Sequence, residues 1–256
     1  MTAATSSGSS DDALASREFD GLVNFRDLGG IPVRGGAIRT ATLFRSDSLS
    51  YASVADAAYL TDDLGVATIV DLRADAEVAE FGRGPLESAP VAYVSLPVVD
   101  GPTVDTRSDF YFQMLSANGE VLADLVRRLS TPAVLPAIVH CHIGCDRTGA
   151  VSAMLLGLAG ADDDAICVDY ARSSRANDAI RERAIERRRS LGLPIKDRAY
   201  YDAWDPRPEI MAATLSLVAR EWGDMAGWAR TYGLTDVEVA AFRNAIVDPN
   251  SSTEAT

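Results

Sequence analysis

The stretch 139-VHCHIGCDRTGA-150 places Cys141 and Arg147 six positions apart, where an apolar, strand-like run gives way to a helix-like one. Three roles compete for Cys141: a buried residue at a strand end, a metal ligand, or a nucleophile beneath a loop that binds a tetrahedral oxyanion. A loop entering a helix presents backbone N–H groups that lack an intrahelical partner, and the helix dipole adds partial positive charge there. A phosphate group needs several donors on one side, which a nest of such amides supplies. A cysteine opening the loop faces the phosphorus in a field that favours the thiolate. Arg147 closes the loop with a planar fork that pairs with two phosphate oxygens, a geometry lysine lacks. Gly144 lets the backbone curl tightly, and Thr148 is placed to donate its hydroxyl to the sulfur. His142, Ile143, Gly144, Cys145 and Arg147 are therefore the expected substrate-binding residues. The expected chemistry is attack by Cys141 and hydrolysis of a phosphocysteine.

The metal reading is weak. His140, Cys141, His142 and Cys145 crowd into six residues, and no second Cys/His pair elsewhere closes a tetrahedron. Neither a metal nor another cofactor is expected. His140 and His142 are the only histidines, so a Ser-His-Asp hydrolase would have to take its base from this cluster. Three cysteines are too few for a disulfide scaffold in 256 residues. Cys145 is also a candidate partner for Cys141 under oxidation.

Working outward, 67-ATIVDL-72, 91-VAYVSL-96 and 136-PAIVHC-141 are short β-branched runs that predict buried strands, and 38-IRTATLFRS-46 alternates as a strand at a sheet edge would. A period near 3.6 predicts helices over roughly 54–63, 75–81, 110–130, 147–160, 162–172, 176–191, 208–222 and 235–247. Strands alternating with helices predict an α/β fold with a mainly parallel central sheet covered on both faces. Ligands in such sheets sit outside the carboxyl ends of strands, where Cys141 falls. The small, polar, aperiodic stretches 1–16 and 249–256 predict disordered tails around a single domain over 17–248. The start carries no basic region followed by an apolar core, so the protein is expected in the cytoplasm, or exported without a cleavable signal. No run approaches the ~18 apolar residues of a membrane span, so no stable membrane insertion is expected.

A net charge of −13 argues against nucleic acid or anionic membrane as the main partner. Between Arg172 and Arg198, however, nine basic residues stand against four acids, making that segment +5 and the remainder −18. It reads either as a solvated amphipathic helix or as a lid over the site.

The motif His140-Cys141-x-x-Gly144-x-Asp146-Arg147-Thr148-Gly149 resembles the signature loop of bacterial tyrosine phosphatases of the HCxxGKDRTG type. The stretches 24-NFRDLGG-30 and 69-IVDLR-73 are similar to the same family's other motifs, in the same order. The resemblance implies a cysteine-dependent phosphatase fold with extra helices, no cofactor, and a phosphorylated protein or small-molecule substrate. It also implies an acid/base role for Asp146 beside the catalytic Cys141, Arg147 and Thr148. Asp109 is the alternative acid, at an upstream distance found in smaller dual-specificity phosphatases. Asp71 and Arg73 are expected to brace the loop. One position departs: the family lysine between Gly144 and Asp146 is Cys145 here, and that lysine is associated with multiply phosphorylated lipids. Phosphatases of sugar or nucleoside phosphates and of phosphoinositides are therefore the alternative activities, and a phosphate-binding pseudoenzyme is the non-enzymatic one.

Overall fold

The computed structural model describes residues 18–98, 104–203 and 205–251. The expected tail 1–16 lies outside the described residues.

The main sheet has five strands, in spatial order β1 (Arg26–Asp27), β4 (Leu43–Ser46), β7 (Ala137–His140), β5 (Thr68–Asp71) and β6 (Ala92–Ser95). All neighbours are parallel except β1, which runs antiparallel to β4. Alternation along the three inner strands sorts the core. Leu43, Val70 and Val139 join the larger apolar cluster, while Phe44, Ile69 and Ile138 join the smaller one. Successive strand residues point to opposite faces, so both faces are covered. β2 (Pro32–Val33), β3 (Gly36–Ile38) and β8 (Val247–Asp248) form a second small sheet, in which β8 pairs antiparallel with β3.

The expected strand 38–46 is corrected in two ways. It divides between β3 and β4, and β4 lies inside the main sheet with all four residues buried. Its alternation misled because Arg45 and Ser46, polar by type, are buried where the site is built.

The helices are α1 (Val54–Ala58, continued by a π-helical turn over Tyr59–Asp63), α2 (Asp75–Phe81), α3 (Arg107–Ala117), α4 (Gly119–Leu129), α5 (Asp146–Ala159), α6 (Asp163–Ala171), α7 (Asn177–Ser190), α8 (Arg198–Asp202), α9 (Pro208–Trp222), α10 (Met225–Thr231) and α11 (Asp236–Ile246). The expected helix 110–130 is two helices divided at Asn118. The Asn118 amide Nδ2 bonds back to Met114 O, and a Cβ on Gly119 would fall 2.2 Å from the Tyr232 ring. α5 is apolar nearly all round and 11 of its 14 residues are buried, which makes it the axis of the larger cluster. Among the described residues, no helix is long and apolar enough to cross a membrane.

Candidate active site

Strand β7 ends at His140 and α5 begins at Asp146, so residues 141–145 must turn the chain between them. Gly144 makes the turn at φ +71, and a Cβ there would stand 2.6 Å from both Asp47 N and Ser46 O. Only glycine fits so close to β4 at that backbone angle.

The carbonyls of this loop are taken one by one by donors outside it. His140 Nδ1 lies 3.2 Å from Cys141 O, and its Nε2 lies 3.5 Å from Asp71 Oδ2. Ser48 N donates to His142 O at 3.0 Å, and Asn24 Nδ2 to Ile143 O at 3.0 Å. Arg45 Nη2 donates to Gly144 O at 2.8 Å, and Gly149 N to Cys145 O at 2.8 Å. With its oxygens pulled toward the scaffold, each planar peptide turns its N–H the other way. Among the described residues, the N–H groups of His142, Ile143, Gly144, Cys145 and Asp146 donate to no protein acceptor. Five successive unpaired amides at a helix start form an anion nest.

Cys141 opens this nest and is 1% exposed. Arg147 does not turn outward. Its Nη1 and Nη2 donate to Glu77 Oε2 and Oε1 of α2 at 2.5 and 2.8 Å. That fork holds the Glu77 carboxyl below its ordinary value. Glu77 also accepts from Ala74 N, so the helix cap and the arginine share one carboxylate. Thr148 Oγ1 is buried without a hydrogen-bond partner among the described residues.

The donors that shape the loop are themselves fixed by buried charge. Arg45, fully buried, pairs with Asp169 Oδ2 at 2.5 Å; Arg26 Nε donates to Asp169 Oδ1 at 2.8 Å and its Nη1 to Asn24 Oδ1 at 2.6 Å. Burial opposes ionisation of Asp169, but Arg45 and Arg26 hold its pKa below the ordinary value. Burial pulls Arg26 down to about 10. On the other side, Asp71 pairs with Arg73 at 2.6 Å, and Arg73 Nη1 reaches Ser48 Oγ. The expected bracing by Asp71 and Arg73 is thus direct for Ser48 and one bond removed from the loop. Replacing Asp169 by asparagine leaves two buried guanidinium groups facing one neutral amide. The expected cost is about 3–5 kcal/mol, measured as a shift in the urea unfolding midpoint at unchanged slope. A loss under about 1 kcal/mol would mean that this network does not hold the loop.

Asp146 stands at the helix start, where Arg107 Nη2 pairs with its Oδ1 at 2.8 Å and Tyr111 Oη donates to the same atom at 2.6 Å. Asp109, the alternative acid, sits in the first turn of α3, where its N–H donates to the capping Thr106 Oγ1 at 3.1 Å and its Oδ2 accepts from Thr106 Oγ1 at 2.6 Å. Cys145 lies under Arg107, whose Nη2 is 3.8 Å from its sulfur. A lysine at that position would set a second cation against Arg107. Burial, with the Asp146 charge, pushes the Cys145 thiol up to about 12. A thiol that keeps its proton attacks poorly, which weakens it as an oxidation partner for Cys141. All three cysteines are free.

The basic segment stands beside the loop. Arg183 donates to Asp47 Oδ2 at 2.8 Å and to Gly21 O, with its guanidinium over the Tyr51 ring; Arg187 pairs with Glu80 and lies over Phe81. Between α7, α8 and loop residues His142 and Ile143 runs a cleft of about 280 Å³, walled by Tyr51, Ile180, Leu191, Tyr200 and Tyr201. Sequence reasoning had not singled out Glu77, Arg107, Tyr111, Arg45 or Asp169. For the last two a signal existed: a charge inside an otherwise apolar strand or helix face.

The profile of the tyrosine phosphatase family matches residues 17–248. The chain belongs to the tyrosine phosphatase family. Membership makes it a cysteine-dependent phosphoric monoester hydrolase. This phosphatase is similar to the triple specificity protein phosphatase PtpB of Mycobacterium tuberculosis, 29% identical over 281 aligned positions that cover 91% of this chain and 100% of that protein. It is similar to a putative tyrosine-protein phosphatase of Cupriavidus necator, 28% identical across 88% of this chain and 86% of that one. Among solved structures, the core catalytic domain of the PP-IP phosphatase Siw14 from S. cerevisiae, in complex with citrate, matches with a TM-score of 0.40 at 16% identity, over 61% of this phosphatase and 78% of that chain.

Proposed function

We propose that residues 17–248 act as one phosphatase domain that cleaves phosphomonoesters through a phosphocysteine on Cys141, with an aryl phosphate of the phosphotyrosine type as the preferred substrate. The observation that carries this reading is the run of five loop amides without acceptors, framed by Cys141 and Arg147. Three non-bridging phosphate oxygens would take those amides and further N–H groups of Arg147 beside the pair it gives Glu77, which neutralise the charge of the transferring group. The Cys141 sulfur forms the S–P bond as the P–O bond to the leaving group breaks, and Asp146 gives that oxygen its proton. Water then attacks phosphorus, the S–P bond breaks, and Asp146 takes a proton back. Thr148 Oγ1, buried and otherwise unpartnered, would donate to the departing thiolate.

The aryl preference rests on the walls of the cleft. Tyr51, Tyr200, Tyr201, Ile180 and Leu191 offer aromatic and apolar surface next to the loop. Two of the cations there are already paired with carboxylates, Arg183 with Asp47 and Arg187 with Glu80, while Arg188 gives its Nε–H to Pro194 O and keeps its charge. A multiply phosphorylated sugar would find few spare charges, whereas a phenyl ring buries apolar area. Turnover of a phosphotyrosine peptide, an inositol phosphate and a sugar phosphate at equal concentration separates the readings, and the peptide is expected to lead. A leading sugar phosphate would favour the metabolite reading, and a protein inert on all three yet binding the peptide would favour the pseudoenzyme.

The acid role has its own test. Asp146→Asn is expected to slow phenyl phosphate, whose leaving group needs a proton, by about 10²-fold or more. Turnover of 2,4-dinitrophenyl phosphate should change little. Equal losses on both would remove Asp146 from the role.

A further inference from the structure

Asp146 is held from one side only. Arg107 Nη2 is 2.8 Å from its Oδ1 and Tyr111 Oη is 2.6 Å from the same oxygen, while among the described residues nothing donates to Oδ2. We propose that Arg107 and Tyr111 are positioning residues that sort the two oxygens of Asp146. They fix Oδ1 as the anchored atom and leave Oδ2 to carry the proton passed to the leaving group; this rests on the acid role given to Asp146 above.

Counting protons fixes the direction of every bond in the cluster. Arg107 Nη2 has two hydrogens and three acceptors: Asp146 Oδ1 at 2.8 Å and Tyr111 Oη at 2.6 Å, which as near oxygens take them, and the more distant Cys145 sulfur at 3.8 Å. Tyr111 has one hydroxyl proton. It must go to Asp146 Oδ1, because a carboxylate oxygen can only accept. Tyr170 Oη, 2.8 Å from Tyr111 Oη, therefore donates to it. Tyr111 accepts twice and donates once, and its hydroxyl is saturated. Burial raises the pKa of both phenols, so neither gives up its proton near neutrality. A proton arriving on Asp146 then finds Oδ1 already occupied by two donors, and Oδ2 is the oxygen left to take it.

The arrangement also locks rotation of the carboxylate. Tyr111 is fully buried on α3, and Arg107 is tied at Nη1 to Asp205 O, beyond the basic segment. Two donors from one helix, four residues apart, meet one oxygen on another helix. A surface ion pair would need no such convergence.

Leaving-group dependence and coupling test the proposal. Arg107→Gln and Tyr111→Phe are each expected to lower kcat on phenyl phosphate about tenfold, the loss of one charge-assisted hydrogen bond, with less than about twofold change on 2,4-dinitrophenyl phosphate. Arg107→Lys, which keeps a charged donor, should recover most of that loss. In an Asp146→Asn background neither substitution should slow phenyl phosphate further, because the oxygen they sort no longer carries the proton. Tyr111→Phe strands the Tyr170 hydroxyl in the core, so Arg107→Gln, on a partly exposed side chain, is the variant that reads the effect with the fold intact. The clamp is overturned, and the acid role kept, if Asp146→Asn is selective for phenyl phosphate while Arg107→Gln slows both esters alike or still acts in the double variant. Equal slowing of both esters by Asp146→Asn alone would instead remove the acid role, and the clamp with it.

Discussion

Replacing Cys141 by serine is expected to abolish turnover of para-nitrophenyl phosphate, by on the order of 10⁴-fold or more, while leaving the fold unchanged. Serine is nearly the same shape, so the 1% exposed site repacks without a cavity. What is lost is an atom that can be an anion in the nest. A hydroxyl stays protonated beside the same five amides, and among the described residues no histidine hydrogen-bonds the side chain at 141: the His140 ring lies against Cys141 O and Asp71 Oδ2, and burial pulls its pKa down to about 4. The nest itself is backbone and survives the change. The variant should therefore still bind phosphate or an aryl phosphate, measurable by calorimetry. Activity within tenfold of the parent would place the nucleophile elsewhere.

The second large effect is expected at Arg147. Lysine keeps the charge but has one nitrogen where the guanidinium has three. It cannot hold Glu77 with one face and two phosphate oxygens with another. Arg147→Lys is expected to lower kcat/KM by about 10²–10³-fold, the cost of removing an oriented donor from a developing oxyanion. Glu77→Gln should act in the same direction but more weakly, because it loosens the arginine and leaves it in place. The pH dependence follows with its sign. The folded pKa of Glu77 is depressed, chiefly by the Arg147 hydrogen bonds, so its pairing is complete above the ordinary glutamate value and lost as pH falls through the depressed one. Parent kcat/KM should carry an acid limb that Glu77→Gln lacks. An Arg147→Lys protein with unimpaired kcat/KM would show that the fork is not what grips the phosphate.

Much of this was legible before any coordinates. The runs 67–72 and 136–141 marked two central strands, because a β-branched run too short for a helix has one good way to be buried. The limits Asp75–Phe81 and Pro208–Trp222 could be read to the residue, each with an acid or a proline at its start. Other elements were not legible. Met225–Thr231 is a single short helix whose Trp228 is buried and bonded to Leu115 O, over a hundred residues away, so its stability is tertiary. The break at Asn118 has a local signal in the Asn118-Gly119 pair, but the close approach of the Tyr232 ring to Gly119 is tertiary.

The same division holds at the site. By itself the sequence determined the loop: Cys141, Gly144 and Arg147 lie within one turn of chain, and the strand before and helix after them leave a single way to turn. Only the tertiary structure decided who holds that loop. Arg45 and Asp169 are 124 positions apart, Arg147 and Glu77 70, and Tyr111 and Asp146 35. Local spacing specifies backbone conformation, because neighbouring dihedrals and their hydrogen bonds are set within a few residues. Which distant charge answers a buried one depends on how strands and helices pack, and a polar residue reveals its partner only once both have been taken out of water.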